Sequence, residues 1–522
     1  IVVTIFIVVT GVVAASGCAP SKAGDACDVK ASTDPCPDGL TCQEHDGAGV
    51  CLIDVGGTCD ADAKDALCAD GAGCADKVCG GKGAVCTDDE QCAEDACADV
   101  GDAKACEPKV LVEGNVIDLQ SGAAIAGAHV IGLDADGAAI SKVATTGDDG
   151  TFTLDLVVAR NDDGSPAAGL AVTLRADAQD YASFPGGIRE AVPVSLDQAT
   201  ESKSGFVVSN AATTIGLLVL PDADQGRPSI TGSVAAGGGG VLVVAKTTDA
   251  VATAITDTDG GFTIFNAAAG ATTVSAYAAG VQLTPANVTV ADKDVTGVTL
   301  AKSDGALGSV TGSVNIVDAG GGSATSVVLV VDDTFDDVLE RGDVPRGLRA
   351  DGVAGAFTID NVPDGDYVIL AAFDNDGLVR DPDTSIAGTG IVRVSVSGKE
   401  ASAPSSFKVT GALAVTSPGA DGLAEVTEPV TLAWADDSSE DGYDVVVHAA
   451  FGTVVWTRSL PSHSGGGDVS VDYNDDGAGA DLVAGMIYQF RATSFRTSGG
   501  GGGAKVPISE TEDLTGTFTL KP

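Results

Sequence analysis

Thr145-Thr146-Gly147-Asp148-Asp149-Gly150-Thr151-Phe152-Thr153-Leu154 is the stretch on which the fold turns. Asp-Asp-Gly is a tight-turn sequence: Asp side chains bond the nearby backbone, and Gly accepts φ > 0 without a steric cost. Past the turn, Phe152 and Leu154 are two residues apart, so both point to one face of a strand. This predicts a strand leaving a hairpin with an inward apolar row. The pattern returns at Asp257-Thr258-Asp259-Gly260-Gly261-Phe262-Thr263-Ile264 and at Gly355-Ala356-Phe357-Thr358-Ile359. A short opening strand precedes each: Val112-Glu113-Gly114-Asn115-Val116, Ile230-Thr231-Gly232-Ser233-Val234 and Val310-Thr311-Gly312-Ser313-Val314. The third copy continues into Val362-Pro363-Asp364-Gly365-Asp366-Tyr367-Val368-Ile369, another turn and strand. Three related β modules follow, with Phe152, Phe262 and Phe357 as structural residues.

The surrounding composition agrees. A chain of 522 residues predicts several domains. Aromatics are 4% and glycines number 70, so small modules with Val, Leu, Ile and Ala cores fit better than large aromatic cores. The net charge is −46, from 28 Lys and Arg against 74 Asp and Glu. That charge repels phosphate backbones and argues against nucleic-acid binding and against basic-patch docking on anionic lipid. Solubility is its plain explanation; a cation atmosphere or adaptation to salt are the alternatives.

The 13 cysteines all lie between Cys18 and Cys106. Residues 1–15, IVVTIFIVVTGVVAA, form an apolar run of signal-peptide length, shorter than the ~20 residues a membrane span needs. Ala15-Ser16-Gly17-Cys18 follows and resembles a bacterial lipobox, which implies cleavage before Cys18 and a lipid on its thiol. The rival is an ordinary signal peptide followed by a free Cys. Lipid on Cys18 leaves twelve cysteines, an even number, in three sets of four: Cys27, Cys36, Cys42, Cys51; Cys59, Cys68, Cys74, Cys79; and Cys86, Cys92, Cys97, Cys106. Gly24, Gly56 and Gly83 each stand three residues before a set, so the segment is a threefold repeat with varying loops. Bulky apolar residues here are few: Leu40, Leu52, Ile53 and Leu67. Cross-links must then replace burial, and disulfides require export to an oxidising compartment. Zinc is the competitor, and its sites favour Cys pairs separated by two to four residues, whereas the central gaps here are five, five and four. Four Cys allow three pairings, and the sequence does not choose. The spacing resembles the short Cys-rich repeats of myxobacterial-type secreted proteins and the Dickkopf amino-terminal motif, which implies an extracellular interaction module.

The β modules resemble the carboxypeptidase regulatory-like domain, a transthyretin-like β-sandwich. The first carries that pattern at Gly114, Val116, Asp118, Gly127-Ala128-His129-Val130 and residues 145–152; the other two keep its ends but not the Gly-Ala-x-Val middle. The resemblance implies a structural appendage and no peptidase. Residues 413–522 differ. Val430-Thr431-Leu432-Ala433-Trp434 and Tyr443-Asp444-Val445-Val446-Val447-His448 read as strands, followed by Leu482-Val483-Ala484-Gly485-Met486-Ile487-Tyr488-Gln489-Phe490-Arg491-Ala492. Trp434 together with Leu482, Gly485 and Tyr488 resembles a fibronectin type III domain, whose tyrosine hydroxyl ties a connection to the backbone. Residues 499–503, all Gly, fit a flexible loop. The expected fold class is mainly β: a disulfide-rich small module, then tandem β-sandwich domains, carboxypeptidase regulatory-like first and fibronectin type III-like last. The boundaries expected are 1–17 signal peptide, 18–26 lipidated tether, 27–109 Cys-rich repeats, and sandwiches at 110–228, 229–305, 306–412 and 413–522.

Catalytic machinery is not expected. The four histidines, His45, His129, His448 and His463, match no zinc-peptidase motif, and His129 and His448 read as surface or edge-strand positions. No Gly-x-Ser-x-Gly elbow or phosphate-binding Gly-x-x-x-x-Gly-Lys-Ser/Thr loop occurs, and nothing organises a carboxylate pair for glycoside hydrolysis. No resident metal or cofactor is expected. Calcium is the one alternative, best placed at Asp374-Asn375-Asp376-Gly377 with Asp381 and Asp383, although the EF-hand pattern is not met. The expectation is a non-enzymatic outer-membrane lipoprotein, at the cell surface or on the periplasmic face, with its sandwiches extending outward. Its role would be adhesion, ligand display or envelope scaffolding. Its partners would be the membrane through the lipid and a protein or glycan ligand. The alternative is a carbohydrate-binding accessory protein, for which Tyr181 with Phe184, in the insert after Leu174, is the candidate aromatic pair.

Overall fold

A computed structural model describes residues 20–521, apart from 46, 60–66, 76, 94–95, 101–102, 162, 321, 404–405, 464–466 and 499–502. The apolar leader, Cys18 and most of the 499–503 glycine run therefore lie outside the described residues. Among the described residues the regular structure is strand with short 3-10 turns, and no helix is long and apolar enough to cross a membrane. The chain divides into two compact units. One is Ile1–Val110, Val157–Ala168 and Thr200–Val207; the other is Leu111–Leu156, Gly169–Ala199 and Val208–Pro522.

In the first unit every Cys set closes the same way, first to third and second to fourth. The bonds are Cys27–Cys42, Cys36–Cys51, Cys59–Cys74, Cys68–Cys79, Cys86–Cys97 and Cys92–Cys106. The pairing follows from a hairpin. Strands Leu40–His45 and Ala48–Ile53, Cys74–Ala75 and Val78–Cys79, and Ala96–Val100 and Ala103–Glu107 set the third and fourth Cys of each set directly opposite one another. Opposite residues share a face, and the segment bearing the first Cys folds back along the hairpin. Its backbone N–H at Cys27, Cys59 and Cys86 donates to Gly49, Lys77 and Lys104. Gly24, Gly56 and Gly83 start each fold-back with φ of +87°, +89° and +79°, which only Gly adopts readily. Each donates its N–H to the carbonyl of the last Cys of its set, at 2.7–2.9 Å. The buried interior of the second and third repeats is cystine and alanine.

The second unit is a set of tandem β-sandwiches. In the first three, the opening strand (Val110–Asp118, Ile230–Val234, Gly308–Val317) pairs antiparallel with the Phe-bearing strand (Thr151–Asp155, Gly261–Ile264, Ala356–Val362). It also pairs parallel with the closing strand (Thr214–Val219, Val295–Leu300, Phe407–Gly411). The facing sheet is built on His129–Leu133 with Ala171–Asp177, Leu242–Lys246 with Gly270–Tyr277, and Thr325–Val331 with Gly365–Ala371. Phe152 and Leu154 are buried, with their neighbours exposed, as the alternation predicts.

The turns that lead into the Phe-bearing strands, Asp-Gly in the first two copies and Ala354-Gly355 in the third, do not make hairpins, however. The short strand before each one (Ala144–Thr145, Val251–Ile255, Arg349–Val353) belongs to the facing sheet. The turn is an arch that carries the chain across the core. Gly150 and Gly260 do take φ of +75° and +79°. Turn chemistry fixes the reversal; which strand the chain then joins depends on an opening strand tens of residues earlier.

The two recurrent signatures turn out to be one contact. Gly114 lies directly opposite Phe152, Gly232 opposite Phe262, and Gly312 opposite Phe357. A Cβ on any of these glycines would come within 2.6–2.7 Å of the ring. The ring covers a bare Cα, so Gly here makes room rather than a turn. The fourth sandwich repeats the device with Gly442 opposite Phe495. At Gly232 the added Cβ would also lie 2.0 Å from the Val298 carbonyl oxygen, which is backbone and cannot swing away. Gly232→Ala should therefore cost about 1–3 kcal/mol in chemical denaturation, the scale of overpacking. Gly261→Ala, whose nearest neighbour is an Asp257 oxygen at 3.4 Å, should stay within about 0.5 kcal/mol of the parent.

The fourth sandwich pairs Val415–Ser417, Thr431–Ala435 and Asp468–Asp472 in one sheet. The other runs Ala424–Val426, Thr517–Leu520, Ile487–Thr497, Gly442–Ala449, Val454–Pro461, with Lys505–Glu510 also on Ile487–Thr497. Apolar clusters join the sandwiches of this unit. Leu242 and Val244 of the second enter the core cluster of the third. Ile188 and Leu218 of the first meet Leu339 of the third and Ile487 of the fourth. An outward string touching only sequence neighbours would not bring the first and fourth sandwiches together.

Candidate functional site

The residues singled out as structural sit in cores. Phe152, Phe262 and Phe357 are buried, as are Trp434 and Leu482. Trp434 packs against Tyr443 and Phe490. The Tyr488 hydroxyl accepts the Val483 N–H at 2.7 Å, and its ring stacks on Phe518.

The histidines are not where strand alternation placed them. His129 lies on a strand paired on both sides and packs edge-on against Phe265 of the second sandwich at 4.9 Å. Burial holds its pKa down, against the pull of Asp177. His448 lies on a strand flanked by Ile487–Thr497 and Val454–Pro461 and is 7% exposed. Burial lowers its pKa, and Arg491 lowers it further. Packing between sandwiches covers faces that a lone sandwich would leave wet. His45 ends a hairpin strand in the first unit, and the His463 N–H donates to Glu440.

The Asp374–Asp383 carboxylates are engaged separately. Asp374 binds Arg349 at 2.7 Å, Asp376 accepts the Leu378 N–H, Asp381 binds Lys408 at 2.6 Å, and Asp383 caps Ser385. Among the described residues, the sets of three metal-ligand atoms lying within 4.8 Å are sulfurs already joined as cystines. Tyr181 and Phe184 are half-buried. The Tyr181 hydroxyl donates to Asp118 at 3.1 Å, and the Arg189 guanidinium covers the Phe184 ring at 5.1 Å.

The densest group of charges lies elsewhere, where the third sandwich packs on the fourth. Arg380 grips Glu340 with two guanidinium nitrogens and also donates to the Thr389 carbonyl. Arg491 binds Asp513 at 3.2 Å and the Leu339 carbonyl at 2.7 Å. Arg341 lies over the Phe373 ring at 3.8 Å, donates to the Phe373 carbonyl and faces Asp513 at 3.8 Å. Glu340, Arg380, Glu510 and Asp513 line a cavity of about 20 Å³, room for one water, with Phe373 and Val379 behind. Burial pushes the Glu510 carboxyl up to about 7, with Arg491 pulling the other way. Burial also raises the carboxyls of Glu190, Asp376 and Glu512 nearby. Glu510 and Glu512 are half-buried, whereas Glu190 and Asp376 lie at the exposed rim.

Sequence reasoning missed this cluster. Its one local signal is Arg491, a charge amid the apolar run from Ile487 to Ala492. Glu340, Arg380 and Glu510 are far apart in sequence, and only the packing of two sandwiches assembles them.

No protein-family model matches the chain, and no curated protein matches it. Among solved structures, the Bacillus anthracis TIE protein is 11% identical over 76% of this chain and 68% of its own, with a TM-score of 0.14. GBS52, the minor pilin of Streptococcus agalactiae, is 14% identical over 37% of this chain and 98% of its own, with a TM-score of 0.16. A tetra-tandem repeat from the extending region of a large adhesion protein is 18% identical over 77% and 98%, with a TM-score of 0.11. Scores this low give no support to a shared function, and the fold rests on the sheets themselves.

Proposed function

We propose that this is an exported, non-enzymatic surface protein, held to an outer membrane by lipid on Cys18 and serving adhesion, ligand display or envelope scaffolding. The observation that supports it is the closure of all twelve cysteines after Cys18 into six disulfides in a unit with almost no other buried apolar side chains. Such a unit needs an oxidising compartment to exist. On this reading the sandwiches are carboxypeptidase regulatory-like modules ending in a fibronectin type III-like one, and their loops and strand edges offer contact surface. The deciding experiment is protease shaving of intact cells followed by mass spectrometry. Sandwich peptides released from whole cells and a lipidated Cys18 at the mature N-terminus are expected. Protection from protease until the envelope is opened would put the protein on the periplasmic face, and an unmodified Cys18 would remove the anchor.

A further inference from the structure

We propose that the contact between the third and fourth sandwiches is a proton-dependent latch in which protonated Glu510 lets the charge cluster close and ionised Glu510 loosens it. The case rests on how the surrounding charges are already committed. From the third sandwich, Glu340 and Arg380 face Glu510, and the Arg380 guanidinium is spent on both Glu340 oxygens and the Thr389 carbonyl. From the fourth, Arg491 and Asp513 face it, and Arg491 is spent on Asp513 and the Leu339 carbonyl. Arg341 serves Asp513 and the Phe373 ring and carbonyl. Beyond these lie Glu512 and Asp376, facing each other across the contact, and Glu190 and Asp374, which face Arg341. Among the described residues, the hydrogen bond found at the Glu510 carboxylate comes from the Thr493 hydroxyl at a long 3.5 Å.

An ionised Glu510 thus shares a water-sized cavity with Glu340 and Asp513, with no guanidinium hydrogen-bonded to it. Like charges in a solvent-poor site repel strongly. A proton removes that repulsion and leaves three arginines for two paired carboxylates. The strand that carries Glu510 also ties the sandwiches together, because the neighbouring Ser509 hydroxyl donates to the Gly411 carbonyl of the third sandwich. Next to it, the Gly377 N–H of the third sandwich donates to Glu512. Ionisation therefore acts beside the hydrogen bonds that hold the two sandwiches together.

The sign follows from linkage. A carboxyl held up to about 7 when folded, against an ordinary 4.5, keeps its proton in the closed state over that interval. Its support for the closed contact is complete below the ordinary value and is lost as pH rises through 7. His448, at the same contact beside Arg491 and Asp336, acts oppositely, since its lowered pKa makes acid the unfavourable direction. The contact should be tightest in mildly acidic solution.

The test is hydrogen exchange on the full chain at pH 6.0 and 8.5, corrected for intrinsic rates. Peptides spanning 336–341 and 505–513 should lose about tenfold protection at the higher pH, a change of about 1.4 kcal/mol. Strands Leu242–Lys246 and Gly270–Tyr277, away from the cluster, should not change. Glu510→Gln should abolish the difference and exchange as the parent does at pH 6.0. Glu340→Gln, which removes one repelling neighbour, should move the parent midpoint to lower pH, because Glu510 then gives up its proton more readily. A parent with equal protection at both pH values, or a Glu510→Gln protein that keeps the parent's pH response, overturns the latch. Should neither variant fold, the parent series decides alone, by the presence or absence of a midpoint near 7.

Discussion

Reducing the six disulfides should unfold the cystine repeats and leave the sandwiches folded. In the first unit the burial that would survive reduction is slight: Leu52, Ala69, Ala72 and Ala84 are among the few buried non-cysteine side chains. Each disulfide closes a loop of 11 to 15 residues. By chain entropy a loop of that size is worth about 3 kcal/mol, and a whole small domain keeps only about 5–15. Losing two bonds is therefore enough to tip a repeat. Both tryptophans, Trp434 and Trp456, are buried in the fourth sandwich. Their emission reports that sandwich alone and should not move on reduction. Amide protection in hairpins Leu40–His45 with Ala48–Ile53 and Ala96–Val100 with Ala103–Glu107 should vanish. Hairpins that stay protected without their disulfides would show a stabilising source other than cross-linking.

Trp434→Ala should cost about 3–5 kcal/mol, the usual range for emptying a large aromatic site in a core. Trp434 is fully buried between Tyr443 at 5.5 Å and Phe490 at 6.1 Å. Its strand, Thr431–Ala435, joins Val415–Ser417 to Asp468–Asp472, so the cavity would open at the centre of a sheet. The indole Nε1 is buried without an acceptor. Trp434→Phe therefore sacrifices volume but no hydrogen bond, and should cost clearly less than Ala. Trp456 remains as the probe in both variants, and its own Nε1 donates to Asp476 at 3.0 Å. Urea titration followed at Trp456 should show a lower midpoint with an unchanged slope, the mark of lost stability rather than a changed denatured state. Equal losses for Ala and Phe would mean that the indole nitrogen, not the ring volume, matters at this position.

Much of the protein is local and was legible as such. Asp-Gly turns, period-two alternation around Phe152, Phe262 and Phe357, and the threefold Cys spacing follow from backbone preference and side-chain direction within a few residues. The all-β sandwich architecture and the need for disulfides come from that information alone. Pairing is not local. Which Cys joins which depended on a hairpin setting Cys42 opposite Cys51 and a glycine folding the chain back upon it. The Asp-Gly turn at Gly150 became an arch because Thr151–Asp155 found Val110–Asp118, far upstream, as its partner. Gly114 and Phe152 could be seen as two recurrent marks, but their contact exists only in the register of that pair. His448 is interior and Glu510 sits among two arginines and two acids because sandwiches pack on sandwiches. Short-range chemistry sets what each segment can be; burial and electrostatics between segments distant in sequence act only once the chain has closed, and they decide which residues meet.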